Sequence, residues 1–126
     1  MCGIAGAFHP DRLSEAAFQA VRRTQRALGH RGPDGEGWFQ GQRIALAHRR
    51  LSIIDLSSSA DQPMASADGR LTIVFNGEIY NFRDLRRELE SDHGVRFRTE
   101  GDTEVILEMF ARLGMKTFER LNGMFV

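Results

Sequence analysis

MCGIAGAF, residues 1–8, is the stretch that decides how this chain is read. It alternates small and larger residues, and Gly3 and Gly6 leave room for a neighbouring backbone, so it reads as a short buried strand. It also holds the only cysteine of the 126 residues, at position 2. By residue type alone a single cysteine is a small buried hydrophobe. Its position supplies a second reading, because loss of the initiator methionine would leave Cys2 with both a thiol and a free α-amine. Terminal amines titrate near pH 7.7–8.0 and thiols near about 8.5, so close to neutrality such an amine is partly free base and can take the thiol proton. With Met1 attached, the same nitrogen is an amide and that chemistry is closed.

Outward from this strand, His9, Pro10 and Asp11 end it. Ser14 is placed to cap a helix, with Leu13 and Phe18 as its hydrophobic staple, Val21 and Leu28 continuing the stripe, and Gly29 as the closing glycine. HRGPDGEG (30–37) is turn chemistry. Three short strands are predicted after it, at Trp38–Gln40, Arg43–His48 and Leu51–Asp55, before the loop LSSSADQ (56–62). Leu71–Phe75 and a run through Tyr80 are also strand-like. Asn81 can cap a helix whose Phe82, Leu85 and Leu89 share a face, closed by Gly94, and Val95–Thr99 reads as a half-exposed strand. Asp102 can cap a last helix with Ile106, Met109, Phe110 and Leu113 at i, i+3, i+4 and i+7, ended by Gly114. Strands clustered between helices predict α/β layers of the α+β kind, with largely antiparallel pairing.

Composition narrows the function. Seventeen basic residues balance seventeen acidic ones, which removes the electrostatic footprint expected for nucleic acid or anionic membranes. Residues 1–50 carry eight basic and four acidic side chains, a modest asymmetry. One cysteine permits no internal disulfide, and His9, His30, His48 and His93 lie too far apart for a zinc-ligand pattern, so no metal site is predicted. The opening has neither the charged start nor the length of a signal peptide, and no apolar run approaches the roughly 18 residues of a membrane span. A cytoplasmic protein is expected. The apolar ending LNGMFV (121–126) reads as the start of a strand, predicting a C-terminally incomplete unit with an unpaired sheet edge.

Six ordered blocks now make a specific pattern: MCGIAG at Met1, HRGPDG at His30, AHRRLSIIDLS at Ala47, QPM at Gln62, NGEIYN at Asn76 and GDTEVIL at Gly101. Together they resemble the glutaminase domain of class II glutamine amidotransferases, of the asparagine synthetase type, over nearly the whole of residues 1–126. Sister enzymes that make glucosamine 6-phosphate or phosphoribosylamine differ at the RGPDG and HRRL blocks. The resemblance implies an N-terminal nucleophile hydrolase fold, a four-layer sandwich with two antiparallel sheets between helical layers.

It also implies roles. Cys2 would be the nucleophile and its own α-amine the base, so no histidine is needed. Arg50, otherwise a solvated surface charge, would grip the α-carboxylate of L-glutamine through its planar fork. Leu51, Ser52, Ile53 and Ile54 would line the pocket. Asn76 and Gly77, which taken alone read as a type I′ hairpin turn, would supply the oxyanion hole from a side-chain amide and a backbone N–H. Glu78 and Asp102, otherwise an exposed strand carboxylate and a helix cap, would approach the α-ammonium. Arg31 and Asp34 are expected to order their loop. The implied reaction is glutamine hydrolysis supplying ammonia to a synthetase domain elsewhere in the same protein, where ATP and Mg would activate aspartate. No phosphate-cradling glycine loop occurs within these residues, so no cofactor is expected here. A homodimer is compatible with this reading. Two alternatives stay open: the same glutaminase serving another acceptor, such as a sugar or another carboxylate in polysaccharide biosynthesis, and a segment inactive on its own.

Overall fold

The structure is a computed structural model and describes residues 1–126. Its first layer is a three-stranded antiparallel sheet built from β1 (Gly3–Phe8), β2 (Gly35–Gln40) and β3 (Ile44–Arg50), in the order β1-β3-β2. On central β3, Ala45 and Ala47 are fully buried beside Leu13 and Val21, so this face packs on helix α1 (Glu15–Ala27). Ser14 caps α1 as expected, its Oγ accepting from Ala17 N at 3.2 Å. Gln25 fastens helix to sheet, donating to Gly37 O at 2.7 Å and His48 O at 3.2 Å. Strand alternation sends His48 and Arg50 to the opposite face.

That face looks toward the second half of the chain. There β4 (Met64–Ala65) pairs with β5 (Thr72–Ile73), and β6 (Gly77–Ile79) pairs with β7 (Gly123–Phe125), both antiparallel. Helices α2 (Phe82–His93) and α3 (Asp102–Leu113) close the larger core, which gathers Phe75, Ile79, Leu85, Leu89, Val95, Val105, Ile106 and Met109. Gly94 and Gly114 end these helices with φ of +63° and +55°. The fold is α+β with antiparallel pairing throughout. No helix is long and apolar enough to cross a membrane. The β6–β7 ladder has two strands only, and Met124, Phe125 and Val126 are exposed.

Several local expectations are corrected. Leu51–Asp55 is an irregular loop, because its backbone donors are taken by side chains of other segments. Val95–Thr99 forms no ladder, since the Glu104 carboxylate accepts the N–H groups of Arg98 and Thr99 that a partner strand would have used. Gly29 does not close α1 but lies within a 3₁₀ turn, Leu28–Arg31. The strand expected at Leu71–Phe75 shrinks to β5, while β2 begins three residues early, inside the turn-like HRGPDGEG stretch. Asn81 holds the N-cap position of α2, yet its side chain ties down the chain before β7, donating to Arg120 O and accepting from Asn122 N. Gly101, not Asp102, is the N-cap of α3, which makes Asp102 its first helical residue.

Candidate active site

A cavity of about 260 Å³ opens where the start of β1, the loop after β3, the start of β6 and the first turn of α3 converge. Cys2, Arg50, Leu51, Ser52, Ile53, Ile54, Asn76, Gly77, Glu78 and Asp102 all line it. The ten positions named from the sequence are thus brought together around one space. No histidine is among the lining residues. His48 lies behind them, fully buried, and burial pushes its pKa down with Arg50 adding to the effect, against an opposing interaction with the Phe75 backbone. A neutral ring there adds no positive charge beside Arg50.

Cys2 is anchored from two sides. Leu51 N donates to its Sγ at 3.4 Å, while Sγ donates weakly to Leu51 O at 3.7 Å. Arg31 Nε donates to Cys2 O at 3.1 Å, and Asp34 Oδ2 accepts from Ser52 N at 2.8 Å. These two bonds give the HRGPDG turn its job: Arg31 holds the cysteine and Asp34 holds the loop facing it. Gly32 lets the turn lie against β3, since a Cβ there would sit 2.3 Å from the Arg49 carbonyl carbon. Met1 also lines the cavity, and as long as it is attached the Cys2 nitrogen is an amide.

Arg50 is not the solvated charge its type suggests. It is 8% exposed, and its guanidinium donates to Ser57 O at 2.7 Å, to Asp61 Oδ1 at 2.5 Å and to Asp55 O. Arg49, its neighbour, faces the other way and pairs with Glu36 at 2.5 Å. Asn76 and Gly77 form no hairpin turn. Asn76 exchanges two backbone bonds with Val126, at 3.1 and 2.9 Å, and Gly77 opens β6 opposite Phe125. The approach is close enough that a Cβ on Gly77 would meet Met124 O at 2.3 Å. The Asn76 backbone is therefore fixed while its side-chain amide makes no bond within the protein.

Asp102 is buried, and its Oδ2 accepts from Ile79 N at 2.9 Å. Burial holds its pKa above the usual carboxylate range and the neighbouring Glu78 charge adds to this, while the backbone N–H groups of Ile79, Asp102 and Thr103 oppose it. Two carboxylates facing one cavity form a site that gains from a cation between them.

Some contributors escaped the sequence reading. Asp55 accepts from Ser57 N at 2.8 Å, from Ser57 Oγ at 2.7 Å and from Glu100 N at 2.8 Å, joining the Arg50 loop to the segment entering α3; these bonds hold its pKa down. Gln62 accepts from Phe75 N at 2.6 Å and donates to Thr103 Oγ1 at 3.3 Å, bracing the residue before Asn76 against α3. Both lie in quoted blocks, LSIIDLS and QPM, but nothing in residue type or spacing marks their side chains as bracing groups. Asp61 carried no signal at all.

A cysteine, an unpaired amide beside a fixed glycine, a buried arginine and a pair of carboxylates thus surround one cavity. Residues 1–126 match the family described as the glutamine amidotransferase domain. The chain belongs to that family. Among its relatives, asparagine synthetase (glutamine-hydrolyzing) 1 of Bacillus subtilis is 39% identical over 127 residues, covering 99% of this chain and 20% of the relative. The protein of the same name from Arabidopsis thaliana is 38% identical, covering 99% and 21%, and asparagine synthetase (glutamine-hydrolyzing) of Asparagus officinalis is 41% identical, covering 99% and 20%. The chain therefore spans about one fifth of the length of these curated relatives. Within this amidotransferase domain the six quoted blocks all contribute to the cavity or to the residues that brace it.

Proposed function

We propose that this amidotransferase domain hydrolyses L-glutamine to glutamate and ammonia, and that the ammonia serves ATP-dependent synthesis of asparagine from aspartate in a longer protein. The observation that carries the reading is the convergence of Cys2, Asn76–Gly77, Arg50 and Asp102 on one cavity. Arg50 binds the α-carboxylate, and Asp102 with Glu78 binds the α-ammonium. This leaves the side-chain amide of glutamine directed at Cys2. The thiolate attacks the amide carbon, the oxyanion is held by the Asn76 amide and the Gly77 N–H, and the protonated α-amine of Cys2 gives its proton to the departing nitrogen. Ammonia leaves with a γ-glutamyl thioester behind it. Water activated by the same amine then releases glutamate. Removal of Met1 is a condition of this scheme, because an acylated nitrogen cannot act as base.

The names of the relatives support asparagine as the product. We further assign ATP and Mg to a synthetase domain beyond these residues, and the reaction to the cytoplasm. The test is Cys2→Ala in the full-length protein: glutamine-dependent product disappears while ammonia-dependent product remains. Persistent glutamine hydrolysis would remove Cys2 as nucleophile. Arg50→Ala raises KM for glutamine and spares 4-aminobutanamide, the same skeleton without its α-carboxylate. Equal loss on both amides would make Arg50 structural. Glutaminase activity with Met1 retained would overturn the α-amine as base.

A further inference from the structure

We infer that Asp61 is a positioning residue that presents the carboxylate-binding edge of Arg50 to the cavity, an inference that rests on the glutamine-binding role proposed for Arg50. A guanidinium has five N–H donors in a rigid plane, and two edges can grip a carboxylate with two parallel bonds: the end-on edge, Nη1 with Nη2, and the side-on edge, Nε with Nη2. In Arg50 three donors are taken. Both on Nη1 are used, by Ser57 O at 2.7 Å and Asp61 Oδ1 at 2.5 Å, and one on Nη2 is used by Asp55 O. Nε makes no bond within the protein.

The direction of these partners decides which edge serves a ligand. Arg50 and Asp55 line the cavity, whereas Ser57 and Asp61 do not. Nη1 is therefore held from outside the cavity. Nε and one Nη2 hydrogen are the donors left for a carboxylate of the substrate. Of the three groups holding the guanidinium, Asp61 alone is charged, and it is the only side chain. Ser57 O and Asp55 O belong to a loop that Asp55 itself pins, so they persist without Asp61. Asp61 fixes the rotation of the plane.

Two effects of Asp61 oppose each other. Its charge weakens the attraction between Arg50 and an incoming carboxylate, while its hydrogen bond orients the fork. The Asp61 side chain is 54% exposed, so water and salt screen the first effect. The second is geometric and is not screened; small misplacements of a positioning group alone cost up to about a hundredfold. Orientation outweighs repulsion.

The test uses the full-length protein with its amino terminus verified by mass spectrometry, comparing Asp61→Ala, Asp61→Asn and Asp61→Glu with Arg50→Ala as reference. Glutamine and 4-aminobutanamide are the substrates. Asp61→Ala is expected to raise KM for glutamine about tenfold while kcat, and kcat/KM for 4-aminobutanamide, stay within about twofold. Asp61→Asn, which keeps an acceptor without the charge, falls between, and Asp61→Glu restores most of the affinity. If KM for glutamine is unchanged or falls in Asp61→Ala while Arg50→Ala raises it, Asp61 has no positioning role and the proposed function stands. Equal losses on both substrates would also overturn the inference, by making Asp61 a fold contact. If Arg50→Ala leaves KM for glutamine unchanged, the reading of Arg50 fails and the inference fails with it.

Discussion

Replacing Asp102 by asparagine should make the domain more stable and nearly unable to hold glutamine. Asparagine keeps an oxygen that can accept from Ile79 N, so the local backbone contact survives and only the charge is lost. Two unit charges 4 Å apart at an effective dielectric of 20 interact by about 4 kcal/mol, and the amide oxygen recovers about 1 kcal/mol as a neutral acceptor. A loss of about 3 kcal/mol corresponds to a rise in KM of roughly two orders of magnitude. The stability effect has the opposite sign. Burial raises the Asp102 pKa in the fold, whereas the unfolded chain releases that proton near the ordinary value of 3.8. Below that value both states are protonated and Asp102 costs nothing. As pH rises through the raised value, the folded state must carry a buried charge, so wild-type stability falls relative to the variant.

The helix dipole works against this outcome. Asp102 begins α3, where a negative charge gains about 0.3–1 kcal/mol. Desolvation is nonetheless the largest influence on Asp102, and with the Glu78 charge it holds the pKa up. The assay pairs glutaminase kinetics with urea unfolding of wild type and Asp102→Asn at pH 3 and pH 7. The variant should match wild type at pH 3 and exceed it at pH 7. A variant less stable than wild type at pH 7 would refute the electrostatic reasoning. A KM within threefold of wild type would separately refute the ammonium site.

Three further substitutions probe the frame around the site. Glu104 is almost fully buried and accepts from Arg98 N at 3.0 Å, Arg98 Nε at 3.1 Å, Thr99 N at 2.8 Å and Thr99 Oγ1 at 2.8 Å, so Glu104→Gln should cost about 2–3 kcal/mol in urea unfolding at pH 7. Burial alone would raise its pKa, but the bonds from Thr99 and Arg98 bring it below 4.5; the difference from wild type should therefore hold above that pH and shrink as pH falls through the lowered value. A pH-independent difference would count against this account. Gly77→Ala drives a Cβ into Met124 O and should lower kcat about a hundredfold by displacing the oxyanion donor. Gly123→Ala strikes the same ladder from β7, 2.1 Å from Glu78 O, and an equal kcat loss there would assign the effect to the ladder and not to the Gly77 N–H.

What the sequence disclosed, and what it hid, divides by the kind of partner each backbone group finds. The strand at residues 3–8, the α1 cap at Ser14 and the apolar faces of α2 and α3 follow from periodicity, because their backbone bonds run to regular neighbours. Leu51–Asp55 and Val95–Thr99 have the β-branched composition of strands but no ladder. Their N–H groups go to Asp34, Glu104 and the Cys2 sulfur, residues at separations no periodic pattern encodes. Residues of the motif blocks line one cavity, while periodicity placed Asp102 one position too early, as a cap instead of the first helical residue.

The same division explains how a largely irregular site can hold its geometry. Asp34, Asp55, Asp102 and Glu104 each accept from a backbone N–H elsewhere in the chain: Ser52, Glu100, Ile79 and both Arg98 and Thr99. Carboxylates accept on two oxygens, so one residue can fix a loop and a neighbouring element together, as Asp55 does between the Arg50 loop and the approach to α3. Charge-assisted bonds of this kind are roughly twice as strong as neutral ones and need no partner strand. A glutamine site needs its carboxylate and ammonium contacts at a set spacing on different loops. A ladder would have fixed one loop at a time, and the bridging carboxylates fix them relative to one another. The excess of acidic residues after position 50, which composition alone left as a mild asymmetry, includes the three that brace α3 and its approach, Asp55, Asp102 and Glu104.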